Sequence, residues 1–188
     1  MLEKLILFSG KEYDKDIIKY GIIVIRNGVL SILIILGLAI IEKRLQESLI
    51  YLLCNLLIYT KIGGYHAKTP IGCMVLTIIT WKIALYYSAI CIKIDILFWI
   101  IIFCVYTIFV VKYAPVLHPN KARFGEIITA KQRMEAGARL FIGYILIMVF
   151  WNIHKQEYAG VLMMSISEII ISMLIGKEIY KNYEERSC

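Results

Sequence analysis

Six apolar segments, separated by short polar breaks, constrain the fold of this chain more than any other feature of its sequence. They cover about residues 20–41, 46–62, 72–92, 94–114, 138–153 and 158–176. A helix rises about 1.5 Å per residue, so about 20 residues cross the hydrocarbon core of a bilayer. The 60% share of hydrophobic residues also exceeds what soluble domains usually contain. We therefore predict an all-α integral membrane protein with about six transmembrane helices.

The rest of the chain is predicted to belong to the same membrane domain. The breaks are short and the sequence contains no internal repeat or low-complexity linker, so residues 1–188 are expected to form a single polytopic domain. Residues 2–20 and 122–138 carry apolar side chains at helical spacing among charged ones. Helices of this kind lie in the membrane interface. We expect both stretches to be amphipathic helices on the cytoplasmic leaflet.

The distribution of basic residues predicts the orientation, because cytoplasmic loops of membrane proteins carry an excess of Lys and Arg. With a cytoplasmic N-terminus, 16 of the 21 basic residues fall inside and 4 outside, and Lys82 lies within a segment. Both termini and the loop 61–73 are therefore expected in the cytoplasm of a multi-pass cell-membrane protein. The same bias explains the net charge of +7, and no stripe of alternating basic and aromatic residues predicts a nucleic-acid partner.

One stretch carries a candidate for covalent chemistry. His66 and Cys73 are seven residues apart, in a loop that also contains glycines and a proline. An imidazole that takes the thiol proton leaves a thiolate, which attacks carbonyl groups. On a straight helix the two residues would be about 10.5 Å apart along the axis, so a working pair requires a bend. Pro70 and Gly72 are placed to make it, although the spacing alone fits a structural histidine and a buried cysteine as well.

The other cysteines are predicted to be inert. Cys54, Cys91 and Cys104 lie within apolar segments, where a cysteine usually acts as a small buried hydrophobe. The number of cysteines is odd, their spacing is irregular and no Cys-x-x-Cys pair occurs. Neither a disulfide framework nor a metal site is indicated, and no cofactor is expected.

Two motifs resemble those of the accessory gene regulator protein B (AgrB) family. The first is Gly64-Tyr65-His66-Ala67-Lys68-Thr69 with Cys73, and the second is Lys112-Tyr113-Ala114-Pro115 followed by Asn120-Lys121. The length and the order of the six apolar segments are similar too, so the resemblance covers nearly the whole chain. Members of the family are membrane cysteine endopeptidases of Gram-positive bacteria. They remove the C-terminal tail of a small precursor peptide and promote closure of its thiolactone or lactone ring, which yields a quorum-sensing signal.

The resemblance implies roles and partners for this chain. His66 matches the catalytic histidine, and Cys73 matches the catalytic cysteine that would carry the precursor as a thioester. The expected partners are an AgrD-like precursor peptide with an acidic C-terminal tail, the lipid bilayer and a second copy of the chain in a homodimer. Backbone N–H groups around Gly72 and Cys73 are the expected donors to the oxyanion that forms during attack.

Three basic residues are candidates for binding the acidic tail. Lys61 is the only cation at the place where the family often has Arg. Lys121 and Arg123 follow the Tyr-Ala-Pro element in the loop 112–139, which carries six basic and two acidic residues. The positive-inside rule explains such an excess equally well, so both interpretations remain open.

Two other functions also remain open. Lys82 and Glu168 lie within apolar segments, where charged residues often mark ion or substrate paths. We expect the two side chains to face a shared polar cavity, and a small transporter or channel built around them is the main alternative to an endopeptidase. A structural membrane adaptor is the third possibility. Cys73 discriminates among them, since only the endopeptidase depends on it.

Overall fold

The computed structural model describes residues 15–65, 67, 69–91, 96–116 and 130–187. Within these ranges the structure is all-α. The helices are α1, Lys15–Ile41; α2, which comprises Leu45–Cys54, a π-helical turn Asn55–Tyr59 and Thr60–Ile62; α3, Pro70–Cys91; α4, Ile96–Tyr113; α5, Ala130–Asn152; and α6, Gln156–Ser187. The described residues form no strand, and an isolated bridge pairs Gly63 with Val116.

The described part of each apolar segment lies largely in one of these helices, and two of the polar breaks become turns. Lys43 has φ 58° in the turn between α1 and α2, and His154 has φ 59° in the turn between α5 and α6. Among the described residues, three ranges are long and apolar enough to cross a membrane, namely Ile71–Ser88, Ala130–Asn152 and Gln156–Tyr180, and two apolar ranges are shorter, Ile25–Ile41 and Leu97–Tyr113. These lengths and compositions are those of a membrane protein.

The expected interfacial helices are not separate elements in the described part of the chain. α1 continues through residue 20 without a break, and α5 continues through residue 138. The starts of the membrane-spanning segments at residues 20 and 138 stay predictions, and residues 2–14 and 122–129 lie outside the described ranges. α5 continues without a break because residues 130–139 include strong helix formers and no proline, so each added residue extends the helix at little cost.

α6 is the central helix of the bundle. It packs against α2, α3, α4 and α5. Its apolar range is 67% buried, compared with 22% for the apolar ranges of α3 and α5, so its neighbours shield it from lipid. Ser165 and Ser167 are buried in it, and their hydroxyl groups donate to the carbonyls of Val161 and Met163 one turn earlier. These polar groups are thus satisfied within the protein, as a membrane interior requires.

Two clusters of buried side chains hold the helices together. The larger cluster joins α2, α4, α5 and α6 and includes Ile58, Val110, Leu140, Ile147, Ile166 and Ile170. The smaller cluster joins α1, α2, α3 and α6 and includes Ile35, Tyr51, Trp81, Leu85 and Val161. Trp81 is completely buried and donates its indole N–H to Ser48 Oγ at 3.0 Å. In a bilayer such close packing and interhelical hydrogen bonds are what stabilise helix association.

The π-helical turn in α2 is supported by side chains. Asn55 Nδ2 donates to Tyr51 O at 3.0 Å, and Thr60 Oγ1 donates to Leu56 O at 2.6 Å. Turns of this kind occur frequently at functional sites. This one ends next to the loop that connects α2 with α3.

Substitution of two adjacent isoleucines in α6 tests the packing of the bundle. Ile170 is 1% exposed and lies in the larger cluster, whereas Ile171 is 54% exposed on the outer surface. Ile170→Ala should lower the free energy of unfolding by about 2–5 kcal/mol, because the surrounding helices close only partly around the lost side chain. Ile171→Ala is the matched control and should have a much smaller effect. Denaturant unfolding in detergent micelles measures both, and equal losses would contradict the packing described.

Candidate active site

Cys73 lies in the first turn of α3. Thr69 caps this helix: its Oγ1 accepts the N–H of Gly72 at 3.1 Å, and its carbonyl accepts the N–H of Cys73 at 3.0 Å. Pro70 opens the helix, at a position where the missing N–H costs nothing. The side chain of Cys73 is half-buried. The capped turn therefore holds the thiol at a defined place at the start of α3.

The loop folds back so that Ala67 lies against Cys73. The backbone of Ala67 hydrogen-bonds the Cys73 thiol. A Cβ atom at Gly72 would lie 3.1 Å from Ala67 Cβ and 2.9 Å from Thr69 Oγ1, so glycine permits this close approach. His66, which precedes Ala67, lies outside the described residues. A bend between residues 67 and 73 is thus present in the stretch for which the sequence predicted one.

The expected oxyanion donors are already engaged. The N–H groups of Gly72 and Cys73 both donate to Thr69, one to its side chain and one to its carbonyl. In this conformation these two N–H groups are therefore occupied within the helix cap, and the oxyanion donors stay a prediction. The cap satisfies these N–H groups internally.

On its other side the loop is joined to the segment after α4. Gly63 has φ 73°, which favours glycine, and its N–H donates to Tyr59 O at 2.8 Å at the end of α2. Val116 N–H donates to Ile62 O at 2.9 Å in the bridge that pairs Val116 with Gly63. A Cβ atom at Gly63 would overlap the Val116 carbonyl oxygen. The motif Tyr113-Ala114-Pro115 and the glycine pair are thus neighbours in space.

Gly64 and Tyr65 pack on α6. Tyr65 N–H donates to the carbonyl and to the Oγ of Ser172, each at 3.0 Å. Tyr180 OH donates to Gly64 O at 3.5 Å. Tyr59 OH, from the π-helical turn, donates to Tyr65 O at 3.0 Å. Side chains of α2 and α6 therefore hold the loop at the two residues that directly precede position 66.

A family model described as Accessory gene regulator B matches residues 3–175. The chain belongs to the accessory gene regulator B family. A search of curated proteins and a search of solved structures each found no match. Membership in this family implies a role in the processing of quorum-sensing peptides. Together with the apolar helices, it identifies a membrane protein.

Both accessory gene regulator B motifs lie at a lysine-rich end of the bundle. Lys177 Nζ, from α6, is 3.2 Å from the centroid of the Tyr113 ring, and Lys112 Nζ is 5.3 Å from it. Lys61 Nζ pairs with Glu135 of α5 at 2.7 Å, and both side chains are partly exposed. Lys61 is therefore neutralised in this conformation. The other two candidate tail-binding residues, Lys121 and Arg123, lie outside the described residues.

Lys82 and Glu168 are not partners in this structure. Lys82 forms an ion pair with Glu42, and its Nζ is 4.8 Å from the centroid of the Trp81 ring. The two side chains were expected to face one polar cavity, but Lys82 lies at the level of the turn between α1 and α2. At the same level, Arg44 donates to the Leu85 carbonyl at 3.1 Å. Glu168 Oε1 is buried, and no hydrogen-bond partner for it exists among the described residues.

The remaining cysteines differ in their surroundings. Cys54 is buried as expected. Cys104 is exposed on the outside of α4, so the expectation of burial is wrong for it, since no helix in the described ranges covers this face of α4. The side chains of Cys91 and Cys188 are outside the described set. Among the described residues no group of three or more His, Cys, Asp or Glu side chains is arranged to hold a metal ion.

The residues of α6 that contact the loop were missed by sequence analysis. Ser172, Gly176 and Tyr180 recur every four residues and so share one face of the helix. That spacing could have indicated a packing face, since small residues at such intervals let membrane helices and backbone approach closely. It could not have indicated which segment packs there, because this depends on contacts between residues far apart in sequence.

Proposed function

We propose that the protein is a membrane-embedded cysteine endopeptidase with Cys73 as the nucleophile and His66 as the base. It removes the C-terminal tail of a small quorum-sensing precursor peptide and promotes closure of a thiolactone or lactone ring. One observation carries the proposal: the chain folds back between Ala67 and Cys73, so that Ala67, next to His66 in sequence, packs against Gly72 and its backbone hydrogen-bonds the Cys73 thiol. Without this fold the spacing of the pair would place them two helical turns apart.

The proposed reaction has two acyl-transfer steps. His66 takes the proton of Cys73, and the thiolate attacks the scissile carbonyl of the precursor. The C–N bond breaks, the tail leaves as an amine with the proton from His66, and the precursor core remains as a thioester on Cys73. A thiol or hydroxyl within the core then attacks this thioester, closes the ring and releases Cys73. Water must be kept out, because hydrolysis would give a linear peptide instead.

The surroundings of Cys73 support this chemistry. A free thiol is mostly protonated at neutral pH, so a nucleophilic cysteine needs a base beside it. The sulfur is half-buried at the start of a capped helix, against a loop that packs closely on α3 and α6. A site of this kind restricts access of water while leaving one side open for a peptide. The alternative of a transporter loses support, because its expected charge pair is not formed.

The first test of the proposal is the loss of the thiol. Cys73→Ala should abolish precursor cleavage, because no other group can form the thioester, and should leave membrane insertion intact. Cys54→Ala and Cys104→Ala are the matched controls, one buried and one exposed, and should retain cleavage. Mass spectrometry of the precursor after co-expression with each variant gives the result. Normal cleavage by Cys73→Ala would overturn the endopeptidase mechanism and favour a transporter or an adaptor.

We further propose that residues 1–188 form one domain with six transmembrane helices and cytoplasmic termini. The ends of α2 and α4 and the starts of α3 and α5 meet at one end of the bundle. The contacts of Ile62 with Val116 and of Lys61 with Glu135 show this, and Gly176 in the later part of α6 lies there too. This alternation is what successive crossings of a membrane produce. The positive-inside rule assigns that lysine-rich end to the cytoplasm.

Labelling with an impermeant thiol reagent tests this orientation. In a variant that retains Cys73 as its only cysteine, intact cells should show no labelling and inverted vesicles should show it. The control adds Lys43→Cys to the variant without native cysteines. Residue 43 lies exposed in the turn at the opposite end, so its thiol should react in intact cells. Labelling of Cys73 from outside would reverse the topology.

We also propose that Lys121 and Arg123 bind the acidic tail of the precursor. Lys61 is paired with Glu135 and so is less available for this role. Exposed charge pairs contribute about 0.2–1 kcal/mol each and are screened by salt, but several together set affinity and steer the encounter.

Charge reversal separates this proposal from a pure orientation signal. Lys121→Glu together with Arg123→Glu should raise the KM for the precursor several-fold and leave the reaction of Cys73 with a small thiol probe unchanged. Lys155→Glu, at the exposed turn between α5 and α6, is the control and should leave KM unchanged. Initial rates at low and high salt measure the effect. A double variant with parental KM at low salt would remove this loop from substrate binding.

A further inference from the structure

The backbone on the N-terminal side of position 66 is held by hydrogen bonds to side chains and carbonyls from other helices. Tyr65 N–H is shared between the carbonyl and the hydroxyl of Ser172, Gly64 O accepts from Tyr180 OH, and Tyr65 O accepts from Tyr59 OH. The Gly64 carbonyl and both backbone polar groups of Tyr65 therefore have partners on other helices. The side chain of Tyr65 takes no part in these bonds.

Steric contacts fix the same segment more tightly than the hydrogen bonds alone. A Cβ atom at Gly176 would lie 2.8 Å from Tyr65 N and 2.9 Å from the Gly64 carbonyl carbon. A Cβ atom at Gly64 would lie 2.6 Å from Ser172 Oγ and 2.8 Å from the Tyr59 ring. The obstacles at Gly176 are backbone atoms, which cannot rotate away as the end of a side chain can. Any side chain at position 176 must therefore push the loop off α6.

The C-terminal side of position 66 is fixed by different contacts. Ala67 bonds the Cys73 thiol, and Gly72 packs against Ala67 and Thr69. The chain thus passes from a docking site on α6 to a docking site on α3 within a few residues. One residue separates Tyr65 from Ala67, so we expect a displacement of Tyr65 on α6 to shift Ala67 and its contact with the thiol.

We infer that Ser172, Gly176 and Tyr180 are positioning residues for the Cys73 site: this face of α6 holds Gly64 and Tyr65 and thereby sets where the loop meets the thiol. The inference rests on the proposed function, since it assigns these residues to the geometry of the His66–Cys73 pair. They act on the backbone of the loop, through Gly64 and Tyr65. Their contribution should therefore appear in the rate of the chemical step and in the reactivity of the thiol, and not in the affinity for the precursor.

The decisive variant is Gly176→Ala. It should lower kcat for precursor cleavage by about tenfold or more, because a shift of about 1 Å at a catalytic pair is enough for such losses, and leave KM within about twofold. Ser172→Ala removes the hydroxyl group but keeps the hydrogen bond from Tyr65 N–H to the Ser172 carbonyl. It should therefore lower kcat by less than Gly176→Ala does, and the protein should still fold. Gly37→Ala and Ser167→Ala are the matched controls. A Cβ atom at Gly37 meets nothing within 4 Å, and Ser167 bonds only a carbonyl in its own helix.

Alkylation of Cys73 by iodoacetamide at neutral pH supplies the second measurement, with His66→Ala as the reference, on protein reconstituted in vesicles. Gly176→Ala should be alkylated more slowly than the parent and approach the rate of His66→Ala, while the two controls keep the parental rate. The inference would be overturned if both Gly176→Ala and Ser172→Ala kept the parental kcat and the parental alkylation rate. If His66→Ala were alkylated slowly in the same experiment, the proposed function would still stand. Equal alkylation of the parent and His66→Ala would overturn the His66–Cys73 pair itself, and the inference with it.

Discussion

The structure depends on one constraint: backbone that leaves the helical path within a membrane bundle must find its hydrogen-bond partners inside the protein. Unpaired peptide groups cost several kcal/mol each in hydrocarbon, so irregular segments persist only where protein groups surround them. The loop after α2 meets this requirement with Tyr59 of α2 and with Ser172 and Tyr180 of α6, and Thr69 of the loop caps the start of α3. Each hydrogen bond also fixes the position of the loop, so the same contacts satisfy its backbone polar groups and hold it in place.

This constraint explains why the central helix carries small and polar residues. A helix that faced lipid on most sides would gain nothing from Ser172 or Gly176, but α6 is surrounded by protein along most of its apolar range. Its glycine lets a backbone segment approach, and its hydroxyl groups supply hydrogen bonds without exposure to hydrocarbon. The outer helices take the contact with lipid, and Cys104 on α4 is exposed on such an outer face.

Much of the fold was predictable from sequence, because helix formation in apolar segments depends on local composition. The helices cover the six segments, and Pro70 with Gly72 marked the start of α3 beside Cys73. The partner of Lys82 was not predictable, since Glu42 is brought to it only by the packing of α1 on α3. The same holds for the contact of Gly63 with Val116 and for the docking of Gly64 on Gly176, which join distant parts of the chain.

The π-helical turn in α2 has a consequence for how this helix accommodates change. One residue turns an α-helix by about 100°, and a π turn holds one residue more than an α-helix of the same height requires. The two parts of the helix are therefore rotated relative to each other about the helix axis. Before Asn55, the side chains of Tyr51 and Cys54 point into the bundle, and after it Tyr59 points toward Tyr65. A one-residue deletion between them would restore regular geometry and, by doing so, rotate the tyrosine hydroxyl away from the loop. A regular α-helix at this place would therefore lose the hydrogen bond from Tyr59 to Tyr65.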